Sequence, residues 1–323
     1  MHYISRTLFN MLLCMTLASC AIKHPKNSYA YITNQGDNTV SVIDIKQQKV
    51  TNTIKVGKAP VGIAVADKIN RAFVTNVESA TVSVIDTQSN RVIHNIPVDG
   101  SPVGVAISPD NKALYVADWY SNQVIMINPM TYAITKKVTV EKAPAGIVVG
   151  PENHQLFVAA RDSNEIAILN VDSLKIIKRI TVGEHPFGIA LSKNGNSLYS
   201  VNVYDNTISI IDAKTWQQKI IEVGDHPYCV ATNPDNNTLY VTNTLDESVS
   251  VIDIHQNKII TRIEVGDTPE GIYYDEINKV ALIANWGSNT VSIIDTQENK
   301  LINTLAVGDK PRAFGQFILQ SAK

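Results

Sequence analysis

Cysteine is scarce in this chain, with three in 323 residues. Cys14 and Cys20 fall near the start, which leaves Cys229 alone in the body. A single thiol closes no intrachain disulfide, so stability must come from a packed core. Charge of one sign is lacking too. The formal net charge is −2, without a long acidic or basic run, so the chain as a whole has no electrostatic means of capturing nucleic acid or an anionic membrane. Several chemical signatures are also missing. There is no Cys-x-x-Cys-His for covalent haem, no Gly-x-Ser-x-Gly elbow, no His-Glu-x-x-His and no Walker loop. No catalytic residue, metal ligand or cofactor is therefore assigned, and an enzyme is the less favoured class.

Long apolar runs are absent except near the N-terminus. There Arg6 precedes a mainly apolar stretch, Leu8 to Leu17, too short to span a bilayer but suited to a secretory leader. It ends in Leu17-Ala18-Ser19-Cys20, which resembles the bacterial lipobox. The resemblance implies a signal peptide over 1–19 and a lipidated Cys20. It also implies a short tether over 20–28 and an anchor in the cell envelope. Ala21 after the cysteine resembles the outer-membrane sorting pattern, facing periplasm or surface. A folded body is expected over 29–323.

What the chain does have is a repeat. A proline recurs at Pro60, Pro102, Pro144, Pro186, Pro227, Pro269 and Pro311, in steps of 42 with one of 41. A second marker keeps the same step, from Tyr31-Ile-Thr-Asn34 through Phe73-Val-Thr-Asn76 to Tyr240-Val-Thr-Asn243 and Leu282-Ile-Ala-Asn285. Periods near 40 belong to helical solenoids and to propeller blades. Content decides between them. Each unit reads as four short runs rich in Val, Ile and Thr, such as Ala72-Phe-Val-Thr-Asn76 and Thr81-Val-Ser-Val-Ile-Asp86. These are strand lengths with strand-favouring residues. No run carries a helical stripe of ordinary length. Seven such units predict an all-β, seven-bladed β-propeller with four antiparallel strands per blade.

The ends sharpen this expectation. The body starts at Tyr29 with a second-strand run and finishes with a first-strand run, Arg312 to Leu319. The C-terminal strand is expected to join the N-terminal blade and close the ring. The Asp or Asn ending each third run, Asp44 through Asp295, is read as an Asx-turn residue. The Asn of the second marker is read as closing its turn. A Gly two residues after most repeat prolines is read as allowing close backbone approach in the innermost strand.

Tyr240-Val-Thr-Asn243, Asn38 to Asp44 and the Val56-Gly-x-x-Pro-x-Gly62 joint resemble the YVTN-repeat family of β-propellers. The resemblance covers about 290 residues and implies the fold. It implies several roles rather than one: surface-layer repeats, envelope proteins and a member linked to single-stranded DNA. Propeller lactonases, a streptogramin lyase and the haem d1 and amine dehydrogenase propellers are similar at greater distance.

Strand alternation puts the start of each first strand and the end of each second strand on one rim, where propellers commonly bind ligands. Residues that depart from the repeat there are the candidates. They are Trp119, Tyr120, Arg161, Asp162, His185, Phe187, Tyr204, His226, Tyr228, Glu270, Trp286 and Arg312. Aromatic rings beside Arg suit stacking on planar ligands or a protein hot spot. Packing into the rim loops or plugging the channel is the competing reading. His185 and His226 occupy equivalent places in adjacent blades. A shared ligand and simple loop histidines bonded to backbone are the two readings there. Ala160 breaks the Asn ring in the fourth copy, beside Arg161 and Asp162, and marks a modified loop. The favoured function is a scaffold at the envelope that binds a protein or glycan. A metal-assisted lactonase or lyase using Glu270 and rim Asn side chains is the enzyme alternative. Single-stranded DNA and a redox-enzyme partner subunit rank lower.

Overall fold

The computed structural model describes residues 27–152, 154–234 and 237–321. The leader, Cys20 and the tether as far as residue 26 lie outside the described residues. Seven four-stranded antiparallel sheets stand around a common axis. In six of them the strands follow chain order from the inside out, as in blade three with Pro102–Ile107, Leu114–Asp118, Gln123–Ile127 and Ile134–Thr139. Among the described residues no helix is long and apolar enough to cross a membrane.

Burial explains why each unit reads as it does. The second and third strands of a blade are covered on both faces by neighbouring blades; in blade one Thr39–Asp44 is buried throughout. Such strands lose the in–out alternation of a half-exposed strand and become continuous Val/Ile/Thr runs. The fourth strand is the rim of the disc. In Arg91–Pro97 only Ile96 is buried.

The repeat residues act as expected. Asn76 Nδ2 donates to Thr81 Oγ1 at 3.1 Å and to Ser83 Oγ at 2.9 Å. Asn34, Asn202, Asn243 and Asn285 make the same pair of bonds in their blades. The Asx-turns form as well: Asp86 Oδ1 accepts from the Ser89 backbone at 2.8 Å and Asp295 Oδ1 from Glu298 at 2.9 Å. Tyrosines of the second marker link blades, with Tyr31 Oη donating to Asn90 Oδ1 at 2.8 Å and Tyr240 Oη to Asn299 Oδ1 at 2.6 Å. The inner strands come together backbone to backbone. A Cβ on Gly104 would lie 2.0 Å from the Ala145 carbonyl oxygen, which is why the position demands a small residue.

Closure is by the tail. Residues Ile318–Ser321 pair with Asn27–Asn34 on the inner side of blade one, Asn27 opposite Ser321 and Ala30 opposite Ile318. Upstream, the Arg312 backbone N–H donates to the Thr33 carbonyl at 2.9 Å and Val65 N–H to the Gln316 carbonyl at 2.8 Å. The tail is thus stitched to blades one and two. The first strand begins at Asn27, two residues ahead of the expected body, because Asn27 and Ser28 find partners in Ser321 and Gln320.

Candidate functional site

The upper face carries the first-strand starts and second-strand ends. A network of contacts across blades three to seven and the seam joins ten of the twelve candidate side chains. At its exposed edge the Arg161 guanidinium lies 5.3 Å from the Trp119 ring centre and 5.7 Å from that of Tyr204. Arg161 also pairs with Asp162 at 2.6 Å. The Tyr204 ring is 4.1 Å from His185 and 5.7 Å from His226, so it stands between the two histidines. His226 Nδ1 is 2.8 Å from Asp225 Oδ1, a bond that draws the Asp225 carboxyl below its usual range. Tyr204 thus bridges the two histidines.

Local chain geometry sets these positions. The residue before the repeat proline adopts a left-handed conformation, with φ of 53° at His185 and 50° at His226. Its N–H is held by an Asn from the preceding blade: Asn164 for His185 and Asn206 for His226, both at 3.0 Å. The expected departure after Ala160 is visible, as Arg161–Ser163 wind into one 3₁₀ turn. That turn lifts Arg161 toward Trp119.

Deeper, the network becomes a roof. Phe187 lies 4.2 Å from Tyr228, 5.0 Å from Phe314 and 6.0 Å from Trp119, ring centre to ring centre. Phe187 is only 4% exposed and packs among these rings rather than projecting to solvent. Beside it Glu270, also 4% exposed, accepts two hydrogen bonds of 2.7 Å from Arg312 Nε and Nη2. Burial pushes the Glu270 carboxyl above its usual range, and the Arg312 guanidinium opposes that shift in part. Burial also pushes the Tyr228 phenol far above its usual value. Aromatic rings and one buried ion pair thus roof the ring on this face.

Two candidates stand apart. Tyr120 is 77% exposed and projects to solvent. Trp286 bonds Gln35 Oε1 at 3.2 Å and lies under Lys310, beside the seam. Phe314 was not among the sequence candidates, yet its signal was available. Three residues after the repeat proline the copies read Ile63, Val105, Ile147, Ile189, Val230 and Ile272, then Phe314.

Below the roof lies a cavity of about 520 Å³ walled by the inner strands. It reaches solvent on the lower face, among the turns between first and second strands. Lys68, Pro109, Lys193 and Glu276 line that end.

A lactonase-like divalent site would draw on Glu270 and the rim Asn side chains. Glu270 is engaged by Arg312, and Nδ2 of Asn76 and Asn202 is spent on its turn, while Oδ1 of Asn34, Asn76, Asn202 and Asn285 is buried without a hydrogen-bond partner. Among the described residues no group of three His, Cys, Asp or Glu side chains could hold a metal ion.

The family model described as "Lactonase, 7-bladed beta-propeller" matches residues 126–224, from blade three into blade five. No curated protein matches. Among solved structures, the chain is similar to a functionally unknown protein from Desulfotomaculum acetoxidans DSM 771, at 16% identity and a TM-score of 0.78, over 89% of this chain and 99% of that one. Kuenenia stuttgartiensis hydrazine synthase is similar at 20% identity and 0.73, over 87% and 99%. The dihydro-heme d1 dehydrogenase NirN, in complex with DHE, is similar at 14% and 0.66, over 88% and 74%. At these identities the likeness is one of fold.

Proposed function

We propose that the protein is a binding module of the cell envelope, anchored through a lipidated Cys20, whose upper face takes a partner protein or glycan. The observation that supports this most directly is Arg161 held against both Trp119 and Tyr204 at the edge of that face. Such a stack presents aromatic faces and unspent guanidinium N–H groups together, the combination that grips a sugar ring or a partner's aromatic side chain. Replacing Trp119, Arg161 and Tyr204 together by Ala should abolish recovery of a partner from an envelope extract and leave the melting temperature nearly unchanged. Unaltered recovery sinks the site. Replacing Trp286 by Ala serves as the control, since it lies outside the network. For the anchor, an azido-palmitate label should appear on the parent chain and vanish in Cys20→Ser.

The lactonase reading is second. It is favoured by the match over 126–224. It is disfavoured by the aromatic roof and by the pairing of Glu270 with Arg312. Turnover of a sugar lactone by purified protein, lost on opening the Glu270–Arg312 pair, would restore it.

A further inference from the structure

We infer that the cavity inside the ring is a binding site for one straight acyl chain, entered from the lower face with the polar head left at the mouth. This goes beyond the upper-face reading and does not rest on it. Four observations carry the inference.

The first is shape. Phe187 and Phe314 line the cavity's upper end, 5.0 Å apart between ring centres. Its walls are inner strands such as Pro102–Ile107. Six residues at about 3.3 Å each give a tube about 20 Å long. The volume of about 520 Å³ lies within the range of small-molecule sites.

The second is wall chemistry. Val105, Ile147, Ile189, Val230 and Ile272 supply branched apolar side chains from five successive blades. Each inner strand bonds the second strand of its own sheet along one edge.

The third is the change of character at the mouth. Lys193 of blade five reaches past blade six to Glu276 of blade seven, with Nζ 3.1 Å from both carboxylate oxygens. Lys68 of blade two donates to the Pro109 carbonyl at 2.7 Å. Both lysines stand at the opening, and both are tied only to exposed partners. Lys193 is already bound to a carboxylate in two-oxygen geometry, so a ligand carboxylate can take the place of Glu276. The occupant that matches an apolar wall and a mouth where Lys193 holds a carboxylate beside Lys68, Asp67 and Glu276 is a fatty acid.

The fourth is position. Ser28 bonds Asp275, the neighbour of Glu276, at 2.6 Å. Gln320 bonds Asp67, which also lines the cavity. Both ends of the described chain therefore lie beside this mouth, and a tether to Cys20 would leave from the same face.

The test is a series of fatty acids from octanoate to palmitate, titrated below micelle formation into the purified full-length chain. Affinity should rise about fourfold per added methylene and level off once the chain meets the roof. Ala190→Trp, which fills the tube, should remove the binding at an unchanged melting temperature. A second measurement needs no variant. Stearate carrying a nitroxide at its methyl end should broaden the ring signals of Phe187 and Phe314, whereas a nitroxide near the carboxylate should spare them. Absence of binding throughout the series overturns the inference. So does binding that ignores Ala190→Trp in folded protein, or equal broadening by the two labels.

Discussion

Ser28 Oγ donates a 2.6 Å hydrogen bond to Asp275 Oδ2, joining the start of the first described strand to the last residue of blade seven's inner strand. Both residues are fully buried. The bond crosses the junction between blades seven and one, and Asn278 Nδ2 strengthens it by donating to Ser28 Oγ at 2.8 Å. Ser28→Ala leaves the Asp275 carboxylate short of a donor in a closed space. A loss of about 1–3 kcal/mol is expected, read from urea unfolding. Deleting 312–323 removes the inner strand as well and should lower the melting temperature far more. A truncated chain that melts like the parent contradicts closure by the tail.

Blade four shows what the Asn ring requires. In blade two a Cβ on Gly57 would sit 2.6 Å from Cγ of Asn76. In blade four the same two places hold Glu141 and Ala160. Asn and a side chain at the Gly position exclude each other. Ala160→Asn alone should destabilise by about 1–3 kcal/mol through overpacking. Adding Glu141→Gly should recover most of that loss. A double-mutant cycle with no coupling between the two sites would show that the steric account is wrong.

The Glu270–Arg312 pair couples the roof to the seam. Glu270→Gln keeps the shape but leaves a largely buried guanidinium without its counter-charge. A cost of about 3–5 kcal/mol is expected by thermal or urea unfolding. The double replacement Glu270→Leu with Arg312→Met should be much milder, because an apolar pair of similar volume leaves no buried charge. Equal losses in the single and double variants would deny the pair its role.

Asp67 makes stability depend on pH. Burial raises its carboxyl from 3.8 to about 6, opposed only in part by the Gln320 N–H. The folded protein holds this proton more tightly than the unfolded chain. The contribution is therefore complete below the unfolded value and is lost as pH rises through about 6. Asp67→Asn removes the dependence. The variant should gain on the parent by about 1–2 kcal/mol between about pH 4 and about pH 7, with allowance for partial exposure. Melting curves of both proteins at the two pH values check the sign.

Much of the architecture was legible because the repeat fixes it seven times over. The strand runs, the Asx-turns and the tail strand could each be read from spacing, since a one-residue error would break the pattern in every copy. The upper-face candidates were legible as departures from that pattern. Their depth was not. Whether Phe187 faces a ligand or the ring axis depends on how closely seven inner strands approach, and that distance is set by Gly104 and its equivalents rather than by Phe187 itself. The lower mouth was less visible still. Lys68, Lys193 and Glu276 look like ordinary turn charges in their own copies, and they meet only because the ring brings distant turns together.

The pairing of Asn27 with Ser321 has a mechanical consequence. The first and last described strands are antiparallel neighbours whose free ends share one edge. Tension applied between the two ends of the chain would load the outermost rung alone, then the next, peeling the strands apart in sequence rather than shearing them together. The six uninterrupted blades would stay stacked until that zipper had opened. A body held at its amino end and tugged at its carboxyl end would therefore yield first at the seam, and at low force.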